Sequence, residues 1–206
     1  MADTTQIHRG RKFDQVLAGA RDVFLRDGYD GAAVDDIAKE AGVSKATLYS
    51  YFPDKRLMFL EVARTECKKQ AEQAIASIDL SQPPEIVLTL AARQFIKFMT
   101  SELGRGIYRL CVAEGERFPE LGRAFYLSGP VLVHETLKGY FEQSIARGEL
   151  EIDDTDLAAY LFAELCKAEL HSKLVFGVCE HPETHDAERV VRGAVEMFLA
   201  RYGVKG

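Results

Sequence analysis

The chain has 206 residues, 47% hydrophobic and 28% charged, the balance of an ordinary globular protein of one domain or a small one joined to a larger one. A net charge of −6 argues against a general coat for nucleic acid, and no apolar run approaches the roughly 20 residues that span a bilayer. The opening "MADTTQIHRGRKFDQ" lacks the apolar stretch of a signal peptide, and Cys67, Cys111, Cys166 and Cys179 are scattered. Reduced thiols and a cytoplasmic setting are therefore expected.

Residues 1–58 hold nine Lys/Arg and nine Asp/Glu, so the whole negative excess lies in the remainder. The early cations gather in two clumps, "HRGRK" and Lys45/Lys55/Arg56. A DNA site, if present, is local.

In chain order, Phe13, Val16, Leu17, Ala20, Val23 and Phe24 recur at three- and four-residue steps and predict an amphipathic helix. "RDGYDG" should stop it near Asp27. A short helix is expected over Val34–Ala41 with Ile37 and Ala38 inward, broken by Gly42. Ser44 then caps another, about Lys45–Tyr51, and Pro53-Asp54 opens a long helix with Leu57, Leu60, Val62 and Ala63 inward. "SIDLSQPPE" is a joint, since its prolines suit the first turn of the next helix. Further helices are expected over 84–101, 103–117, 119–127, 129–147, 154–176 and 185–202. The fold class read from this pattern is all-α, a small N-terminal unit (1–56) followed by a larger helical unit (57–206).

Two short helices joined by a glycine-containing turn are the geometry of a DNA-reading helix-turn-helix. With Leu48 inward, the second helix projects Lys45, Thr47, Tyr49 and Tyr51 from its other faces. Lys45 can meet a phosphate or a guanine edge, and Thr47 a base or a phosphate. Tyr49 and Tyr51 can donate phenolic hydrogen bonds to phosphate, with Tyr51 half in the core; Ser44 adds a donor at the helix N-terminus. Lys55 could clamp the DNA backbone from the start of the next helix.

"AVDDIAKEAGVSKATLYSYFPDKRLMFLEVA", preceded by "AGARDVFLRDGYDG", closely resembles the N-terminal DNA-binding domain of the TetR family of bacterial transcriptional regulators. "RLCVAEGERFPELGRAFYLSGP" is similar to the AefR-like C-terminal subgroup. The resemblance implies a three-helix helix-turn-helix head and a larger helical body that binds a small molecule and dimerises. It also implies a protein that represses until an effector releases it. Two departures stand out: Ala32-Ala33 where the family commonly has a capping Thr or Ser, and Ala46 where glycine is frequent.

On that basis two subunits are expected to pair through the helices over 154–176 and 185–202 as a four-helix bundle. Leu157, Tyr160, Leu161 and Leu165 would serve in one, and Val190, Val191, Ala194, Val195, Phe198 and Leu199 in the other. The operator should be near-palindromic double-stranded DNA, read at a spacing of about 34–36 Å or a multiple. Phe95, Phe98, Met99, Tyr108, Cys111, Phe125, Leu132, Phe162 and Cys166 are candidates to line a mainly apolar effector pocket, suited to an apolar or aromatic molecule. His134, Glu164 and Glu169 are candidate polar handles.

Other readings are open at this point. His171, Cys179, His181 and His185 are zinc-ligand types, but their spacing matches no standard finger and no metal is assigned. A redox sensor needs an activated thiol with a resolving partner; neither Cys67 nor Cys111 shows one. A helical adaptor that ignores DNA is a further alternative. No G-x-S-x-G, G-x-G-x-x-G, P-loop or H-E-x-x-H motif suggests an enzyme, and no cofactor is expected.

Overall fold

In the computed structural model, which describes residues 10–116, 118–179 and 182–204, the predicted apolar stripe becomes the buried face of α1 (Arg11–Gly31). Phe13, Val16, Ala20, Val23 and Phe24 all point inward from it. The chain leaves helical geometry at Gly28 (φ 69°) and resumes for a last turn to Gly31. The expected stop near Asp27 is therefore a break followed by a short continuation. α2 (Val34–Glu40) and α3 (Lys45–Tyr51) follow, and α4 runs from Lys55 to Ala76.

The first compact unit ends at Glu66 and the second begins at Cys67, a division later than the one expected after Arg56. The reason is burial along α4, where Met58, Phe59, Val62 and Ala63 belong to the first unit's core. Phe59 meets Phe24 edge-on at 5.0 Å and Tyr29 at 5.1 Å, and burying a side chain of that size contributes roughly 1.5–3 kcal/mol. At the other end of the core Phe52 stacks on Phe13 at 5.4 Å. α1 also packs closely on the end of α2: a Cβ on Gly19 would lie 2.5 Å from the backbone nitrogen of Ala41.

The second unit comprises α5 (Pro84–Thr100), α6 (Glu102–Glu114), α7 (Pro119–Ser128), α8 (Pro130–Ala146), α9 (Thr155–Leu165), α10 (Leu170–Val175) and α11 (Thr184–Tyr202). Proline opens α5, α7 and α8, where its missing N–H costs nothing. α11 packs chiefly on α5 and also on α9, and α8 packs on α7 and α9. Phe198 of α11 stacks on Phe141 at 5.0 Å and meets Phe162 edge-on at 5.3 Å. Among the described residues every regular element is a helix, and the only pairing of extended chain is the isolated bridge between Leu150 and Gly203.

Two expectations are corrected here. The stretch 154–176 is not one helix. The chain breaks after Leu165, and Glu169 adopts φ 62°, ψ −50°. With the Leu170 N–H donating to the Ala168 carbonyl at 2.7 Å, this is a γ-turn of the rare, strained kind. The turn re-aims the chain so that Leu170 is buried in the core, while the Glu169 carboxylate meets Lys173 and Arg189. The second correction concerns α11. Val190, Val191, Ala194, Val195 and Phe198 are buried in the subunit's own core, and Leu199 packs against it. They are therefore not free to form a surface. On α9, Leu165 likewise packs against the core, whereas Leu157, Tyr160 and Leu161 are 51%, 41% and 42% exposed, as is Met197 of α11 at 62%.

Candidate nucleic-acid interface

The turn between α2 and α3 closes by backbone hydrogen bonds that only a left-handed residue permits. Gly42 takes φ 63°, its N–H donates to the Lys39 carbonyl at 3.1 Å, and the Val43 N–H donates to the Ala38 carbonyl at 3.0 Å. This Schellman arrangement satisfies the last carbonyls of α2 and sets the angle at which α3 leaves. Ser44 then caps α3: its hydroxyl accepts from the Thr47 N–H at 3.1 Å and lies 2.9 Å from the Thr47 hydroxyl. The Ser50 hydroxyl donates to the Thr47 carbonyl at 2.6 Å.

Leu48 is the residue that orients the helix. It is fully buried, so the opposite side of α3 faces outward. Lys45 and Tyr49, one turn apart on a shared face that flanks Leu48, are exposed, and Thr47 is half-buried. Tyr51 sits half in the core, edge-on to Phe13 at 5.8 Å. Lys45 pairs with Asp35 across the turn. At the start of α2 the Ala32-Ala33 departure has the expected result: the cap position, Ala33, makes no side-chain hydrogen bond, and Asp35 and Asp36 occupy the first turn. Those carboxylates favour the helix N-terminus electrostatically.

Lys55 is placed differently from the rest. Its ammonium is partly buried, donating to the carbonyls of Tyr29 at 2.7 Å and Ala32 at 3.0 Å, and it lies 4.6 Å from the centre of the Tyr29 ring. Beside it, Asp54 accepts from Arg56 at 2.9 Å and from the Leu57 N–H at 3.0 Å. Burial opposes ionisation of that carboxyl, yet these hydrogen bonds outweigh it and hold its pKa below the ordinary value. Ser44, Lys45, Thr47 and Tyr49 thus lie together on or beside α3, Tyr51 serves two environments, and Lys55 ties α4 to the C-terminal end of α1. Sequence reasoning missed Asp35 as the partner of Lys45. It also missed the Tyr29 and Ala32 carbonyls, because a backbone acceptor leaves no mark in residue type.

The candidate pocket residues divide by burial. Phe162 and Cys166 are core side chains, and Phe95 and Met99 pack against that core. Phe98, Cys111, Phe125 and Leu132 are half-buried. Tyr108 is partly exposed and meets the His171 ring edge-on at 4.8 Å. Of the polar handles, His134 is buried, stacked on Tyr160 at 4.2 Å with Nε2 3.2 Å from the Asp156 carbonyl. Glu164 pairs with Lys167 at 2.5 Å.

His181 and Arg9 lie outside the described residues. His185 lies 3.2 Å from the carboxylates of Glu183 and Asp186, and among the described residues no three His, Cys, Asp or Glu side chains gather as metal ligands would. Burial pushes the Cys111 thiol up and the Cys166 thiol to about 12, the direction opposite to that of a reactive cysteine. Among the described residues no helix is long and apolar enough to cross a membrane.

Residues 16–62 match the bacterial regulatory proteins of the tetR family, and residues 86–204 match the C-terminal domain of AefR-like transcriptional repressors. The chain belongs to the TetR family of transcriptional regulators. The flavonoid-responsive regulator FrrA is 34% identical with a TM-score of 0.71, over 96% of this chain and all of that one. A structure assigned to the family from Mesorhizobium loti is 30% identical with a TM-score of 0.75, over 94% of this chain and 98% of that one. The transcriptional repressor AcnR of Corynebacterium jeikeium is 38% identical over 60 residues, 29% of this chain. The chain thus spans only 32% of the length of AcnR. As a member of this family the protein is a DNA-binding regulator of transcription.

Proposed function

We propose that this TetR-family protein is a dimeric repressor that holds α3 in the major groove of a near-palindromic operator and lets go when a small apolar or aromatic effector binds its C-terminal unit. The observation that carries the reading is α3 itself: Leu48 is fully buried, while Lys45 and Tyr49, on one shared face, stay exposed beside an N-terminus capped by Ser44. Ser44, Lys45, Thr47, Tyr49 and Tyr51 are the DNA-contacting set. Lys45 and Thr47 can read base edges, and the hydroxyls of Ser44, Tyr49 and Tyr51 can position the backbone. Lys55 contributes chiefly by holding the start of α4.

The partner surface is drawn from the outward side of α9, Leu157, Tyr160 and Leu161, together with Met197 of α11. Pairing doubles the reading helix and sets the half-site spacing. The effector contacts are drawn from the half-buried Phe95, Phe98, Met99, Cys111, Phe125 and Leu132. The name of the flavonoid-responsive relative, 34% identical over nearly the whole chain, supports a planar aromatic effector. Release requires the effector to bind the DNA-incompetent state more tightly than the competent one.

The test is a gel-shift and anisotropy titration with the DNA upstream of the protein's own gene against a scrambled duplex of equal length and composition. Light scattering on the same preparation reads the mass. The reading expects selective binding by a dimer and its reversal by planar aromatic compounds. Equal affinity for both duplexes, or a monomer at micromolar concentration, would overturn it.

A further inference from the structure

Asp35 stands in an odd place for a protein that must approach a polyanion. Its carboxylate is 66% exposed and pairs with Lys45, itself 57% exposed, at the N-terminus of α3. Lys45 shares a helix face with Tyr49, four residues on, and Asp35, Lys45 and Tyr49 are all exposed. We infer that Asp35 is a specificity-determining residue: as the internal counterion of Lys45 it weakens attraction to phosphate in general and so discriminates against non-operator DNA. The inference rests on the DNA-binding reading of α3.

A free surface lysine that meets a phosphate releases a condensed cation, and each such contact adds about 0.9 to the slope of log affinity against log salt. When Lys45 turns to a phosphate it leaves the Asp35 carboxylate uncompensated. That carboxylate takes up a cation in place of the one the phosphate gives up, so the net release on arbitrary DNA is small. Non-specific binding consists almost wholly of such phosphate terms, and therefore loses the most. On the operator, Lys45 gains a directional contact to a base edge, which replaces Asp35 more fully. An exposed ion pair is weak and exchanges readily, so the barrier to this replacement is small. Asp35 also has a local role, since it offsets the unfavourable placement of a cation at the start of α3 and favours the N-terminus of α2. That role affects folding but leaves the salt slope unchanged.

The experiment measures anisotropy of the intact protein on the DNA upstream of its gene and on the scrambled duplex, from 50 to 200 mM KCl. The variants are Asp35→Asn, Lys45→Met and the pair together. Asp35→Ser, which keeps an acceptor at the start of α2, serves if the asparagine variant melts early. Asp36→Asn removes the same charge from the same helical turn. Asp35→Asn is expected to bind the scrambled duplex more tightly, with a slope steeper by about 0.9, so that its advantage shrinks about threefold across that salt range. The ratio of operator to scrambled affinity should fall, and the effect should vanish in the Lys45→Met background. An unchanged slope and ratio, or an equal gain with Lys45→Met or with Asp36→Asn, overturns this inference while leaving the DNA-binding reading intact. Wild-type protein that binds neither duplex at 50 mM overturns both.

Discussion

The ammonium of Lys55 donates to the carbonyl of Tyr29 at 2.7 Å and to that of Ala32 at 3.0 Å, fastening the start of α4 to the C-terminal end of α1. Hydrogen bonds from a charged group contribute about 1.5–3 kcal/mol each, and partial exposure reduces that here. Lys55→Met is therefore expected to lower the stability of the first unit by about 2 kcal/mol in urea titrations. Its salt slope on DNA should stay near the wild-type value. An unaltered midpoint with a slope flatter by about 0.9 would instead assign Lys55 to a phosphate.

Gly19 leaves room for nothing larger. An added Cβ would meet the Ala41 nitrogen at 2.5 Å and its Cα at 2.7 Å, and backbone does not swing aside as a side-chain tip can. Gly19→Ala should cost about 1–3 kcal/mol through overpacking, despite the better helix propensity of alanine. A denaturation midpoint equal to or above wild type would contradict the close approach of α1 and α2.

Glu169, at φ 62° and ψ −50° between α9 and α10, makes a comparison of two substitutions informative. In a continuous helix alanine would be the more stable choice. In a γ-turn glycine relieves the strain that alanine keeps. Glu169→Gly is expected to melt about 2–4 °C above Glu169→Ala. The reverse order in differential scanning fluorimetry would mean that the helix runs through.

Cys166 is fully buried, and its thiol is pushed up to about 12 by burial. Almost none of it is thiolate at pH 8, so alkylation by iodoacetamide should follow unfolding only. Mass spectrometry showing rapid native-state labelling at Cys166 would refute this placement.

Asp79, in the joint between α4 and α5, accepts from the Gln82 amide at 3.0 Å, the Ser81 hydroxyl at 2.7 Å and the Ser81 N–H at 3.0 Å. These bonds, the amide's first, favour the ionised form and lower its pKa from 3.8 to about 2. A depressed carboxyl contributes stability that is complete above about pH 4 and is lost as pH falls toward 2. Asp79→Asn should accordingly be less stable than wild type at pH 5, with the difference closing near pH 2. A carbonyl titration by NMR midway near 4 would remove the basis of this expectation.

The helix-turn-helix was legible because its determinants are local. Gly42 breaks the helix, Ser44 caps the next, and Ile37, Ala38 and Leu48 mark a buried face at helical spacing. Each rule acts within a turn or so of chain, so residue type and spacing suffice. The break at Glu169 was illegible for the complementary reason. The stretch 155–176 contains neither proline nor glycine, and its local preference is for uninterrupted helix. Burial of Leu170 in the core and the pairing of Glu169 with Arg189 of α11 override that preference, and both depend on segments distant along the chain.

The same division explains the two faces of α11. Periodicity showed an apolar stripe over Val190–Phe198, but whether a stripe covers its own subunit or a second one depends on which surfaces fold against it. Here α5 and α9 cover it, which takes its apolar area out of water within the subunit. Amino-acid order alone was enough for helix type, capping and the burial of Leu48 in α3. Three-dimensional packing settled the tether of Lys55, the partner of Lys45 and the inward turn of α11, since those contacts join residues that local preference cannot relate.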